Sequence, residues 1–259
     1  MTRRSWLLLG VLLVVQGVLI WGVFLPSPHS GGDNAGYVAL AHSLVSGEGY
    51  TEIWDPAAPP HTKYPPVFPV LLALAMTLGA TGWAALKTVP VLAALVAVAG
   101  VFLWARRRLG EEAGFAVALL TGLTPSLLYH AHWLLSDVPF LAFTALALWR
   151  LDGITGGAGA PWAPAGSASG AASRAEEPPG RWLGVLAATV LVALAYFTRS
   201  AGLPLVLAGV AALAWGRRWA EAAVLGGGVG IPALLWLLRG RAAGPGEGRY
   251  GSEFFLLDP

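Results

Sequence analysis

The polar and apolar positions of this chain fall into long blocks rather than a short alternation. Apolar runs of about 20 residues are long enough to cross the about 30 Å hydrocarbon core of a bilayer as a helix. Such runs occupy residues 6–25, 83–104, 113–129, 138–151, 182–197, 202–215 and 220–238. Residues 182–215 are too long for one crossing and are interrupted by Thr198, Arg199 and Ser200, so they read as two short helices meeting at one face. The first run follows Arg3 and Arg4, exceeds the apolar core of a signal peptide and lacks its small-residue cleavage site, so it reads as an uncleaved anchor. The pattern predicts an all-α membrane protein, a polytopic helical bundle of about seven spans.

One further apolar stretch, residues 67–82, is led by Pro65 and Pro66 and contains Pro69. Basic residues decide its placement, because cytoplasmic loops collect Lys and Arg. If it re-enters or lies at the interface, Arg3, Arg4, Arg106, Arg107, Arg108, Arg150, Arg174, Arg181, Arg217 and Arg218 share the cytoplasmic side, ten of the sixteen basic residues. Lys63, Lys87, Arg199, Arg239, Arg241 and Arg249 stay outside. A crossing would export the Arg106–Arg108 cluster, so the non-spanning topology is preferred. The expectation is a multi-pass protein of the cell (inner or plasma) membrane with a cytoplasmic N-terminus.

Composition agrees. The chain is 56% hydrophobic and 12% charged, against about 25% charged in soluble domains. Global disorder, collagen and disulfide scaffolds are excluded, and there is no Cys. A net charge of +2 gives no reason to expect a nucleic-acid partner.

The whole chain, residues 1–259, reads as one transmembrane domain. Its largest polar piece is the first outer loop, 26–86. There Tyr37, Leu40, Ala41, Leu44 and Val45 follow helical spacing after Asp33 and stop at Gly47, which predicts a short juxtamembrane helix. Such a helix can lie on the membrane with its apolar face down. Residues 153–181, rich in Gly, Ala, Ser and Pro, read as a disordered cytoplasmic linker. Residues 239–259 read as the start of a later outer loop, cut short.

Candidate chemistry sits near the outer face. Asp33 and Asp137 fall on the same side at similar depth, and a carboxylate near hydrocarbon is costly unless paired, hydrated or used. Two such acids suit a general base and a metal or cation ligand. Each also stands at a helix start, where a plain cap is the competing reading. Lys63 and Arg199 are outer cations able to hold a phosphate, or else snorkelling from helix ends. His61, His130 and His132 read as interfacial polar residues, since the i, i+2 pair shares no helix face. No phosphate-cradling glycine loop, nucleotide fingerprint or nucleophile elbow is present, so no nucleotide cofactor is expected.

Five segments together resemble a known family. These are Gly32-Asp33-Asn34-Ala35-Gly36-Tyr37, Gly47-Glu48-Gly49-Tyr50, Lys63-Tyr64-Pro65-Pro66, Leu135-Ser136-Asp137-Val138-Pro139 and Phe197-Thr198-Arg199-Ser200. Their order and spacing resemble the GT-C superfamily of integral-membrane glycosyltransferases, closest to the branch of protein O-mannosyltransferases and aminoarabinose transferases. The resemblance implies sugar transfer from a polyprenyl-phosphate donor to a lipid, glycan or protein acceptor on the outer face, with membrane lipids as further partners. It implies Asp33 as the catalytic base, Asp137 as a second acid binding a cation or the acceptor, and Lys63, Arg199 and Tyr37 at the carrier phosphate. A divalent cation at Asp33 and Asp137 is a possible cofactor. Such enzymes usually continue for several more spans. A non-catalytic or truncated carrier-binding subunit is therefore the alternative, and a transporter is less supported because no span carries a central charge.

Overall fold

The computed structural model describes residues 1–29, 32–155 and 181–243. Among them are α1 (Arg3–Val23), α2 (Asn34–Val45), α3 (Val67–Thr77), α4 (Trp83–Leu86), α5 (Thr88–Leu109), α6 (Glu111–Gly122) and α7 (Pro125–His130). The chain continues with α8 (Asp137–Thr155), α9 (Arg181–Thr198), α10 (Leu203–Trp215) and α11 (Trp219–Ala242). An isolated antiparallel bridge, Thr51 with Pro60, is the sole β pairing among the described residues.

Five helical stretches are long and apolar enough to cross a bilayer: α1, α4–α5, α8, α9 and α11. The remaining two predicted crossings are made of shorter pieces. Residues 113–129 are not one helix but α6 and α7, broken at Leu123 and Thr124. The cause is Pro125, which pushes the preceding Thr124 into the extended region at φ −61°, ψ 122°. Residues 202–215 form α10 after a single 3-10 turn, Ser200–Gly202.

α3 has 11 residues, roughly 16 Å at about 1.5 Å per residue. It is too short to span, as its placement by charge requires. α2 forms where the apolar spacing predicts it, but its apolar face does not lie bare on the membrane. Tyr37, Leu40 and Ala41 are buried against Phe68, Leu72 and Ala73 of α3, with Leu86 and Leu134 closing the same cluster. Two further cores tie α1 and α5–α8 through Leu12, Val98, Phe102 and Ala118, and α8–α11 through Leu151, Val192, Leu213 and Leu225. α5 approaches α8 closely at Gly100, where a Cβ would stand 2.9 Å from that of Ala145. Small residues permit this kind of contact in lipid, where close packing must replace the hydrophobic drive.

The polar contacts between elements gather at two opposite rims. At one, the arginine rim, Arg4 pairs with Glu112, Arg106 with Ser5, Arg108 with Asp152, and both Arg181 and Arg218 with Glu221. Arg107 also bonds the Trp149 carbonyl at 2.6 Å. At the other, the loop rim, Lys63, Lys87, Arg199 and Arg239 lie among the loops. This is the division that the basic residues drew from the sequence. Near the helix ends at the two rims, Trp21 is 81% exposed and Trp215 93% exposed, as aromatic residues at a lipid boundary would be.

Of the linker expected at residues 153–181, the first three residues complete α8 and Arg181 opens α9; the rest lies outside the described residues. Arg239–Ala242, expected in a loop, are the last turn of α11, and residues beyond 243 likewise lie outside.

Candidate active site at the loop rim

Asp33 precedes α2, and its backbone carbonyl accepts the first helical bond from the Tyr37 amide at 3.0 Å. Its side chain makes no cap bond. The carboxylate is turned instead to Tyr64, whose hydroxyl donates to Oδ1 at 2.7 Å. Gly36 makes room for this, since a Cβ there would stand 3.2 Å from the Tyr64 ring. The cap reading of Asp33 therefore fails on geometry, and one carboxylate oxygen remains for other work.

The two loops meet through a buried tyrosine. The rings of Tyr37 and Tyr64 lie 4.7 Å apart, and the Tyr37 hydroxyl is 3.0 Å from Ser136 Oγ. Ser136 precedes Asp137, the first residue of α8. Tyr37 thus ties α2 to the second loop and is buried, at 4% exposure; it acts as scaffold rather than as a surface for the carrier.

Asp137 Oδ2 is held by Arg199 Nη1 at 2.6 Å. The resemblance implies Arg199 at a carrier phosphate; in the structure its guanidinium pairs with the second acid. Half-exposure of both partners keeps the pair accessible to a competing anion. Lys63, half-buried, sits next in sequence to Tyr64, with Nζ 5.7 Å from that ring. A cation and the holder of Asp33 thus come from one dipeptide.

Behind Tyr64 is a layer that the sequence reading left as plain interfacial residues. His61 is buried, and its Nε2 accepts from the Tyr64 amide at 2.8 Å, so Nδ1 carries the proton donated to Glu52 at 2.8 Å. Burial lowers the pKa of His61, and Glu52 only partly counters this. From α11, Arg239 donates to the His61 carbonyl at 2.8 Å and the Tyr50 carbonyl at 3.2 Å, and stacks on Trp236. Burial also raises the pKa of Tyr50, whose hydroxyl donates to the Tyr64 carbonyl at 2.9 Å. The sequence clue to this layer is the polar cluster Glu52, His61 and Lys63 before two prolines. Its partner Arg239 lies 178 residues away from His61 and leaves no local signal.

Lys87, at the α4–α5 joint, is fully buried and donates to the Leu25 and Ser27 carbonyls at 2.5 and 2.6 Å. It pins the end of α1. His29 stacks on Trp133 beside His132, and burial lowers the pKa of both imidazoles, helped by the Lys87 charge.

Asp137 and Asp33 do not form a ready metal centre. Asp137 Oδ2 pairs with Arg199, Asp33 Oδ1 accepts from the Tyr64 phenol, and no group of three His, Asp or Glu side chains suited to a metal ion occurs among the described residues. An apolar groove of about 490 Å³ runs from this rim between α3, α5 and α8, lined by Leu74, Leu78, Leu92, Val96, Pro139 and Phe143.

The comparisons with known proteins bear on one stretch of the chain and on its fold. Residues 63–155 match the family described as dolichyl-phosphate-mannose-protein mannosyltransferase. That stretch contains Lys63, Tyr64 and Asp137, whereas Asp33 and Arg199 lie outside it. Among solved structures, the chain resembles ArnT from Cupriavidus metallidurans, crystallised in the apo state, with a TM-score of 0.64 and 18% identity. The likeness covers 100% of this chain and 45% of that one, so the chain spans less than half the length of the structure it matches. No curated protein gives a significant sequence match.

Proposed function

We propose that this chain carries the donor-side machinery of a membrane glycosyltransferase, which moves a sugar from a polyprenyl phosphate to a hydroxyl acceptor at the outer face. The observation that supports it most is the Tyr64–Asp33 hydrogen bond beside Lys63. It sets a carboxylate, oriented but not consumed as a cap, next to a cation.

In the step we propose, the unengaged oxygen of Asp33 takes the proton of an acceptor hydroxyl. The acceptor oxygen forms a bond to the anomeric carbon, and the bond from that carbon to the phosphate oxygen breaks. The polyprenyl phosphate leaves with the electron pair. Lys63 stabilises the charge that develops on the leaving phosphate, and Arg199 can exchange Asp137 for it. A single displacement inverts the anomeric centre. The apolar groove between α3, α5 and α8 suits the prenyl chain. The proposed step uses no divalent cation.

The test is transfer by the full chain in liposomes from a synthetic polyprenyl-phosphate sugar. Loss of a general base costs about 10²–10⁴ in rate, so Asp33→Asn should slow transfer by at least about 100-fold while thermal unfolding stays put. Transfer by that variant at the parent rate would overturn the assignment. In a second reading, which the apolar groove between α3, α5 and α8 supports, the chain binds the carrier without turnover. Saturable binding of the donor with no product formed identifies it.

A further inference from the structure

On the far side of α8 from the apolar groove, a cavity of about 230 Å³ opens between α6, α7 and α8. The first turns of α8 divide the two spaces. Pro139, Ala142 and Phe143 line the groove, while Asp137, Val138 and Leu141 line the cavity.

The polar lining of the cavity is Thr121, Thr124, Ser126, His130 and Asp137. Most of its donors are already committed. Thr121 Oγ1 donates to the Val117 carbonyl at 2.8 Å, and Thr124 Oγ1 to that of Leu120 at 3.1 Å. His130 Nδ1 lies 2.7 Å from the Ser126 carbonyl, an atom that only accepts, so Nδ1 holds the ring proton. In the neutral ring, Nε2 then keeps its lone pair. Asp137 spends Oδ2 on Arg199 and retains Oδ1. What the cavity offers is mostly acceptors: three hydroxyl oxygens, an imidazole nitrogen and a carboxylate oxygen, with the Ser126 hydroxyl as the one donor left over.

That chemistry selects its ligand. A phosphate brings only acceptors and negative charge, and no Lys or Arg lines the cavity. An ammonium has little field to follow, because Arg199 offsets the charge of Asp137. A saccharide presents several O–H donors at once and matches the lining.

We propose that this cavity seats the hydroxyl groups of a saccharide acceptor, on the opposite face of α8 from the lipid tail of the donor. The inference rests on the transferase reading for the word acceptor, but the binding itself is tested without turnover. Diethyl pyrocarbonate acylates the lone-pair nitrogen of an accessible histidine. With the full chain in micelles of a non-saccharide detergent, methyl glucoside should slow labelling of His130 several-fold and leave the exposed His42 unchanged. Inorganic phosphate at the same concentration should protect neither. In the Thr121→Val/Thr124→Val double variant, the protection should vanish while labelling without sugar keeps its parent rate, which reports an intact fold. Failure of the sugar to protect His130, equal protection by phosphate, or protection that survives the double variant each overturns the proposal. A chain that protects His130 but transfers no sugar overturns the transferase reading alone.

Discussion

Tyr64 donates its hydroxyl to Asp33 at 2.7 Å across 31 residues of sequence. The bond crosses from the loop before α3 to the start of α2, and the aromatic contact of Tyr64 with Tyr37 carries it on toward Ser136 and the second acid. Removing the hydroxyl alone leaves the ring packing in place. Tyr64→Phe should therefore lower kcat by about 10- to 100-fold, as the loss of one charge-assisted bond of about 1.5–3 kcal/mol implies. KM for the donor should change little, and thermal unfolding should move by no more than a few degrees. An unaltered kcat would show that Asp33 is oriented by something else.

The Asp137–Arg199 pair is 2.6 Å long but 46% and 39% exposed on its two side chains. Solvent screens such a pair, so its coupling in a double-mutant cycle of Asp137→Ala and Arg199→Ala should be below about 1 kcal/mol in stability. Transfer rate should respond far more strongly to either change than stability does. A coupling of several kcal/mol in unfolding would mark the pair as a structural clamp instead.

Three loop-rim imidazoles, His29, His61 and His132, share a pKa lowered by burial. The unfolded chain takes up protons at these sites near pH 6.5, while the folded rim resists them until lower pH. Folding stability is thus unaffected by these groups above about pH 6.5 and falls as the pH drops below it. Amide exchange in residues 50–64 should accelerate on acidification through that range. His61→Leu should flatten part of the dependence, at the expense of the Glu52 and Tyr64 bonds.

Glu221 is 1% exposed and receives both Arg181 and Arg218. Deleting one partner of a buried ionic cluster costs about 3–5 kcal/mol. Glu221→Ala should accordingly lower the midpoint of unfolding sharply, whereas the donor affinity of the surviving folded fraction, a loop-rim property, should hold. A mild effect on unfolding would mean that water compensates the two guanidinium groups.

Much of the architecture was legible in the sequence because the bilayer imposes a coarse code: run length gives spans, and Arg placement gives sides. Helix α2 was readable from Tyr37, Leu40 and Ala41, and the break at Thr124 had its signal in Pro125. The partners of those elements were not readable. The face of α2 is covered by α3 rather than by lipid, because Phe68 and Leu72 are as apolar as acyl chains and periodicity cannot tell the two apart. Asp33 and Asp137 stood out as acids among apolar neighbours. Their companions Tyr64 and Arg199 reach them only through tertiary structure, so the sequence offered Asp33 as a base with a cap as the competing reading, and Arg199 as a carrier ligand with no sign of its partner.

The contacts of Arg108 with Asp152, of Arg218 with the Ile154 carbonyl and of Arg181 with Glu221 fasten the end of α8 and the start of α9 on both sides of residues 156–180. Side chains from two other elements, α5 and the start of α11, thus dock α8 and α9 at the arginine rim, so the rim acts as a clasp across four elements.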